Sequence, residues 1–182
     1  KMKKIVLIVL VLAMVVVSGC GTIGTMQESF RNTNTVSGAL DSGFKLEKSL
    51  SYRVSYHKQQ NLYFGFNPDI VSDDITEPNE KQKKFVDYFI RAAEEEFKKR
   101  GLTLIKESGK DKTVLEIKLT YLVGKPMILS GWAGSKWILN GLKITRMVGV
   151  SFQALSDDET IKKGAEKLAK EKSGEFFSVI KL

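Results

Sequence analysis

The sequence predicts an α+β fold in two layers, a mainly antiparallel sheet packed by two amphipathic helices. Two observations carry this expectation. Apolar and polar side chains alternate with period two at Tyr52, Val54 and Tyr56, and again at Leu115, Ile117, Leu119 and Tyr121, as half-buried strands require. Residues 79–100 and 156–182 instead repeat their apolar side chains at helical spacing. The order strands, helix, strands, helix places both helices against one sheet in a single domain, 46–182.

The first strand sets Arg53, Ser55 and His57 opposite its tyrosines, and His57 is expected to face solvent or to stand at a hairpin end. After the polar turn 58–61, Leu62, Phe64 and Phe66 continue the period and suggest a hairpin. Residues 68–78 read as an acidic loop. The helix from about Asn79 to Arg100 gathers Phe85, Val86, Phe89, Ile90, Ala93 and Phe97 on one face. Lys98, Lys99 and Arg100 suit its negative end, and Gly101 suits the left-handed cap position. Leu102, Leu104 and the run Val114–Val123 read as two strands around the turn 108–112. A further strand is expected over Leu142–Leu155. The last helix opens on the capping-box sequence Ser156-Asp157-Asp158-Glu159 and buries Ile161, Ala165, Leu168, Ala169, Phe176 and Ile180, with Gly164 and Gly174 weakening its continuity.

Composition bounds the chemistry. The chain has 182 residues, 29 Lys and Arg against 21 Asp and Glu, one Cys and one His. That length suits one domain with a hydrophobic core of its own. A lone Cys excludes an internal disulfide framework and any Cys-rich zinc site, and a lone His excludes every arrangement that needs two. There is no G-x-S-x-G, no H-E-x-x-H and no P-loop sequence.

The first twenty residues carry the strongest signal. Lys1, Lys3 and Lys4 precede an unbroken apolar run from Ile5 to Val17, which is followed by Ser18, Gly19 and Cys20. A spanning helix needs about 20 apolar residues, so this run is short for a membrane span and has the order of a secretory signal. Gly19-Cys20-Gly21-Thr22-Ile23-Gly24 also fits G-x-G-x-x-G, with Asp41 downstream. A dinucleotide site needs an amphipathic helix after the glycines, and residues 25–39, rich in Ser, Thr and Asn, do not supply one.

Val17-Ser18-Gly19-Cys20 resembles the lipobox of bacterial lipoproteins, with Val where Leu is commoner. The resemblance implies a diacylglycerol on the Cys20 thiol and cleavage after Gly19, so that 1–19 is a removed signal peptide. Loss of three lysines then lowers the net charge from +8 to +5. Residues 20–45 become the lipidated Cys and a flexible tether, and several acyl chains hold a protein firmly at a membrane surface. By resemblance to enterobacterial lipoproteins, Gly21 in place of Asp favours the outer membrane of a Gram-negative host. Helix-Gly101-Leu102-x-Leu104, a turn and the alternating strand Leu115-x-Ile117-x-Leu119 resemble small α+β domains of envelope lipoproteins, such as the amino-terminal domain of TolB and the curli-export lipoprotein. That resemblance implies a non-catalytic role in envelope assembly and transfers no functional residue.

The remaining candidates are weighed against plain structural roles. Asp69, Asp73, Asp74 and Glu77 have the oxygen ligands for Ca²⁺ but not EF-hand spacing, and acids before a helix are expected from its dipole. No metal is expected there. Lys81, Lys83 and Lys84, then Lys98–Arg100, then Lys162 and Lys163 fall on polar helix faces, and no nucleic-acid motif accompanies them. Residues 124–141 stand apart: four glycines punctuate Met127, Ile128, Leu129, Trp132, Trp137, Ile138 and Leu139. An exposed apolar loop there would meet a membrane or partner through Met127, Ile128, Leu129, Trp132 and Trp137; a covering loop or short strands would send the tryptophans into the core.

The expectation is therefore a non-enzymatic lipoprotein of the cell envelope, with no catalytic residue and no cofactor beyond the covalent lipid. Its partners are the membrane and another envelope protein, and a homo-oligomer is compatible with the sequence. The alternative is a carrier of a lipid or other hydrophobic ligand.

Overall fold

Period-two alternation in one strand sets the two faces of the sheet. The computed structural model describes residues 35–40, 44–59, 71–109, 113–122, 130–151 and 158–180. In chain order these form β1 (Thr35–Ser37), β2 (Ser49–Gln59), β3 (Val71–Ile75), α1 (Glu80–Lys98), β4 (Thr103–Lys106), β5 (Val114–Leu122), β6 (Ser130–Leu139), β7 (Leu142–Ser151) and α2 (Asp158–Val179). All belong to one compact unit, Thr33–Leu182.

The sheet runs β1-β7-β6-β5-β2-β3, with β4 also pairing β2. β2 is parallel to β4 and to β5, whereas β1–β7, β2–β3, β5–β6 and β6–β7 are antiparallel. The fold is α+β, as the sequence predicts. Ser51 and Tyr52 pair with β4 and also with β5, so these two strands flank β2 on opposite sides. The expected turn at 108–112 therefore joins no hairpin. Parallel neighbours need a crossover, and α1 provides the one between β2 and β4.

Tyr52, Tyr56, Leu115, Ile117, Leu119, Tyr121, Trp137, Leu139, Leu142 and Ile144 point to the helices and are buried. α1 answers with Phe85, Phe89, Ala93 and Phe97, all fully buried at a four-residue spacing. Each such Phe contributes about 2–3 kcal/mol of transfer free energy. Lys84 bonds Asp158, while Phe97 packs on Phe176 and Phe177, so α1 and α2 lie start to start and end to end, parallel to each other. The caps explain the bounds of α1. Asn79 accepts from the Gln82 N–H at 3.0 Å, and Gln82 Oε1 accepts from the Asn79 N–H at 2.9 Å. At the other end Gly101 takes φ +73° while the Leu102 N–H reaches back to the Phe97 carbonyl.

Several expectations are corrected. The tether does not run to residue 45, because Thr35–Ser37 already pairs with β7. The acidic loop contains strand β3, whose acids are tolerated because it is an edge strand pairing β2 at few positions. The segment 124–141 is not one loop: from Ser130 it is β6, a strand between β5 and β7. α2 runs through both Gly164 and Gly174, as the expected extent of that helix requires. The suggested hairpin at Leu62–Phe66, and Ser156 with Asp157 of the last capping box, lie outside the described residues.

β1 is fastened by a close backbone approach. Gly38 has φ +76°, and a Cβ there would overlap the carbonyl oxygen of Gly141 in the β6–β7 turn. Gly38→Ala is expected to cost at least about 2 kcal/mol, from left-handed strain plus the clash with backbone. Gly101→Ala, with open space around its Cβ at φ +73°, should cost only about 1 kcal/mol. Equal midpoints for the two variants in urea unfolding would contradict the close approach.

Candidate functional site

The residues singled out from the sequence divide sharply. Val17, Ser18, Gly19 and Cys20, and also Met127, Ile128, Leu129 and Asp69, lie outside the described residues. Trp132 stands in β6 opposite Leu122 and Gly149. Trp137 is no contact residue: it is 1% exposed, opposite Ile117 and Ile144, with the rings of Phe89, Phe97 and Phe176 at 6.3, 6.0 and 5.4 Å. Its place follows from the strand period, which puts it on the helix-facing side. The basic groups of both helices are exposed, as expected.

Polar side chains instead converge on the face of the sheet turned away from the helices. The strand register arranges them in transverse rows. Arg53, Glu116, Ile138, Lys143 and Ser37 form one row across β2, β5, β6, β7 and β1. Ser55, Lys118, Lys136, Thr145 and Thr35 form the next. His57 continues the period on β2, and Thr120 and Gly134 follow it on β5 and β6. Arg53 is held by a two-pronged bond to Glu107, at 2.5 and 2.6 Å. In the second row Lys118 Nζ donates to Asp73 Oδ1 at 2.8 Å, and Lys136 Nζ lies 4.0 Å from the same oxygen. Asp73 thus reaches from the edge strand β3 over β2 to β5 and β6. The β2–β3 pairing carries a register irregularity between His57 and Gln59.

His57 sits in the same cluster and corrects a second expectation. It is buried, 2% exposed, with Nε2 at 2.7 Å from Ser55 Oγ. Burial and then the nearby Lys118 push its pKa down, against a weaker opposing pull from Ser72 and Asp73. The Lys118 bond, then the charges of Lys118, Lys136 and His57, hold the Asp73 carboxyl below its ordinary range. A hydroxyl beside an imidazole is half of a nucleophile–base pair. No carboxylate among the described residues accepts from Nδ1, so no triad is assembled on it.

A second polar cluster lies between α2 and β7, and nothing in the sequence analysis marked it. Arg146 binds Glu171 at 2.9 Å and also Glu175. Lys172 is fully buried and donates to the Ile144 carbonyl at 2.5 Å. Its burial pushes the amine well below the usual lysine range. The helical phase contains the missed signal, since Lys172 stands four residues from both Leu168 and Phe176 on the buried stripe. Ser173 Oγ and Glu175 Oε2 on α2, and Ser135 Oγ and Trp137 Nε1 on the neighbouring strand β6, are buried polar atoms without a hydrogen bond. The cluster ties α2 to the sheet and offers no open approach to its amine.

Two outcomes are expected from these clusters. His57 has a lowered native pKa, so as pH falls below about 6.5 the unfolded chain binds a proton that the folded one does not, until the lower native pKa is reached. Stability should fall as pH drops through that window, by up to about 1.4 kcal/mol per unit, and His57→Gln should remove this part of the slope in urea unfolding. Arg146→Ala leaves Glu171 and Glu175 facing each other and should cost about 2–3 kcal/mol, allowing for partial exposure. Lys172→Met should be near neutral, because an apolar chain of similar volume replaces a costly buried amine. A larger loss for Lys172→Met than for Arg146→Ala would contradict the assignment of roles.

No family model matches the chain, and no curated protein matches it. Among solved structures it is similar to one titled "Crystal structure of uncharacterized protein", with a TM-score of 0.44 and 16% identity over 72% of this chain and 90% of that one.

Proposed function

We propose that the chain is a non-enzymatic lipoprotein of the bacterial cell envelope, anchored by acyl chains on Cys20 and presenting its α+β domain as a binding or assembly component. One observation carries the reading: the cationic start, the apolar run Ile5–Val17 and Val17-Ser18-Gly19-Cys20 agree in order and spacing with a lipoprotein signal. The early entry of the chain into the sheet is compatible with it. Only residues 21–34 separate Cys20 from β1, a reach of at most about 50 Å. The domain would work close to the membrane, the outer membrane in a Gram-negative host.

An assembly role is favoured over a hydrophobic carrier because aromatic side chains fill the space between sheet and helices. Phe85 stacks on Tyr121 at 4.6 Å, and Trp137 is packed among Phe89, Phe97 and Phe176. Met127, Ile128, Leu129 and Trp132 remain the apolar residues assigned to a partner or membrane contact; Trp137 is withdrawn from that set.

Intact-mass analysis of the native protein, extracted gently from membranes, tests the reading. The expected species begins at Cys20, carries acyl mass, and is accompanied by a second envelope protein in fixed ratio. Cys20→Ala should accumulate as an unprocessed chain without acyl mass. Normal lipidated mass in that variant would refute the anchor, and a lone chain with a bound small hydrophobic molecule would replace assembly with carriage.

A further inference from the structure

The two edges of the sheet are guarded unequally. On the side of β3 and β4, exposed charges stand along the rim: Asp73 and Asp74 on β3, and Lys106 on β4. Such charges, on short strands, keep an open edge from pairing with other chains. β7 is different. It pairs with β6 over its whole length, from Leu142 opposite Leu139 to Ser151 opposite Ser130. Its other edge meets β1 only at Lys143, Ile144 and Thr145. Among the described residues, Arg146–Ser151 therefore has a strand neighbour on one side alone. That stretch, Arg-Met-Val-Gly-Val-Ser, holds neither Lys nor Pro, and its one charged group, Arg146, is drawn to Glu171 and Glu175 on α2. A long edge of this composition, without guards of its own, calls for a covering strand.

We propose that residues 29–34 of this chain are that cover, docking on the edge of β7 as a backward continuation of β1, antiparallel and in the same register. The direction of β1 carries the argument. Thr35 stands opposite Thr145 and Ser37 opposite Lys143, so β1 points its start towards the Ser151 end of β7. Continued backwards, this register sets Asn34 opposite Arg146, Thr33 opposite Met147, Phe30 opposite Val150 and Ser29 opposite Ser151. Residues 29–34, which lie outside the described ones, thus match the open positions 146–151 one for one. Their sequence, Ser-Phe-Arg-Asn-Thr-Asn, falls in a run without Gly or Pro between Gly24 and Gly38, so nothing in it stops a strand. A segment already joined to β1 also docks without the translational cost that a second chain meets. Where Cys20 is the anchor, as proposed above, the pairing leaves only residues 21–28 between Cys20 and the sheet, a reach of at most about 28 Å. The strand itself does not rest on that reading.

Residue-resolved amide hydrogen exchange on the full chain, in nonionic detergent, tests the strand and not the lipid. Alternate amides of 29–34 should exchange at least about tenfold more slowly than those of 21–24, and dilution of the protein should not change this. Of Asn32→Pro and Thr33→Pro, one removes a ladder donor whichever amides face β7. That variant should return 29–34 to the rate of 21–24 and speed exchange at alternate amides of Met147–Ser151, while β5 stays protected. Equal exchange at 29–34 and 21–24 in the wild type overturns the proposal. So does protection that is lost on dilution, which gives the edge to a second copy, and so does protection that survives both proline variants. Where a variant loses the protection of β5 as well, it has not folded, and the wild-type profile with its dilution series decides alone. A chain without acyl mass that keeps the protection would end the anchor reading and leave the strand in place.

Discussion

Everything in this fold hangs on β2 serving two faces at once. Tyr52, Val54 and Tyr56 turn towards the helices while Arg53, Ser55 and His57 turn away, and the strand has neighbours along both edges. Because β4 and β5 are parallel to it, the chain cannot return by a tight turn and must cross over. α1 is that crossing, and its phenylalanines are buried because the crossing lays it over the tyrosine side of β2. A one-residue slip of β2 would exchange the two faces, placing Arg53 and His57 under the helix. The Tyr56 hydroxyl guards against such a slip. It donates to the Tyr121 carbonyl at 2.9 Å and accepts from the Tyr121 N–H at 3.1 Å, locking β2 to the end of β5.

The two helices share this sheet but hold it differently. α1 relies on an unbroken apolar stripe, and its helical ends are closed by Asn79 and Gly101. α2 interrupts its stripe with Lys172 and Ser173 and compensates with ion pairs to Arg146. Aromatic packing joins the two supports, since Trp137 and Phe97 both meet Phe176. Loss of that junction would loosen both helices together rather than one.

What was legible in the sequence was local. The bounds of α1 followed from Asn79, Phe85, Phe97 and Gly101, all within one segment, and the buried stripe of α2 followed from its own spacing. β3 was misread because Asp73 and Asp74 argue against a strand unless a cation elsewhere accepts them, and Lys118 lies 45 residues away. β6 stayed open between a loop and short strands because Gly131 and Gly134 resemble loop punctuation, and only the strands on either side supply the pairing that decides it. The burial of His57 depends on Ser72 and Lys118, neighbours that only the register brings near. Lys172 is the exception: its helical phase was readable, but a lysine at a stripe position counts as an interruption until Arg146, Glu171 and Glu175 are seen beside it. The resemblance of Val17-Ser18-Gly19-Cys20 to a lipobox is likewise local, since it rests on residues adjacent in the sequence.

The shortness of β1 has a mechanical consequence. A pull on the chain ahead of Thr35 falls first on three paired residues, Thr35–Ser37, fastened by Gly38 against Gly141. That clasp fails before β2 is loaded, because β2 is paired along both edges while β1 has a single neighbour. Its release would stop short of β2, because Leu40, Phe44 and Leu46 pack against the core between the two strands. Load entering from the amino-terminal side would therefore meet a short, singly paired strand first and a core-packed segment second, before it reaches β2.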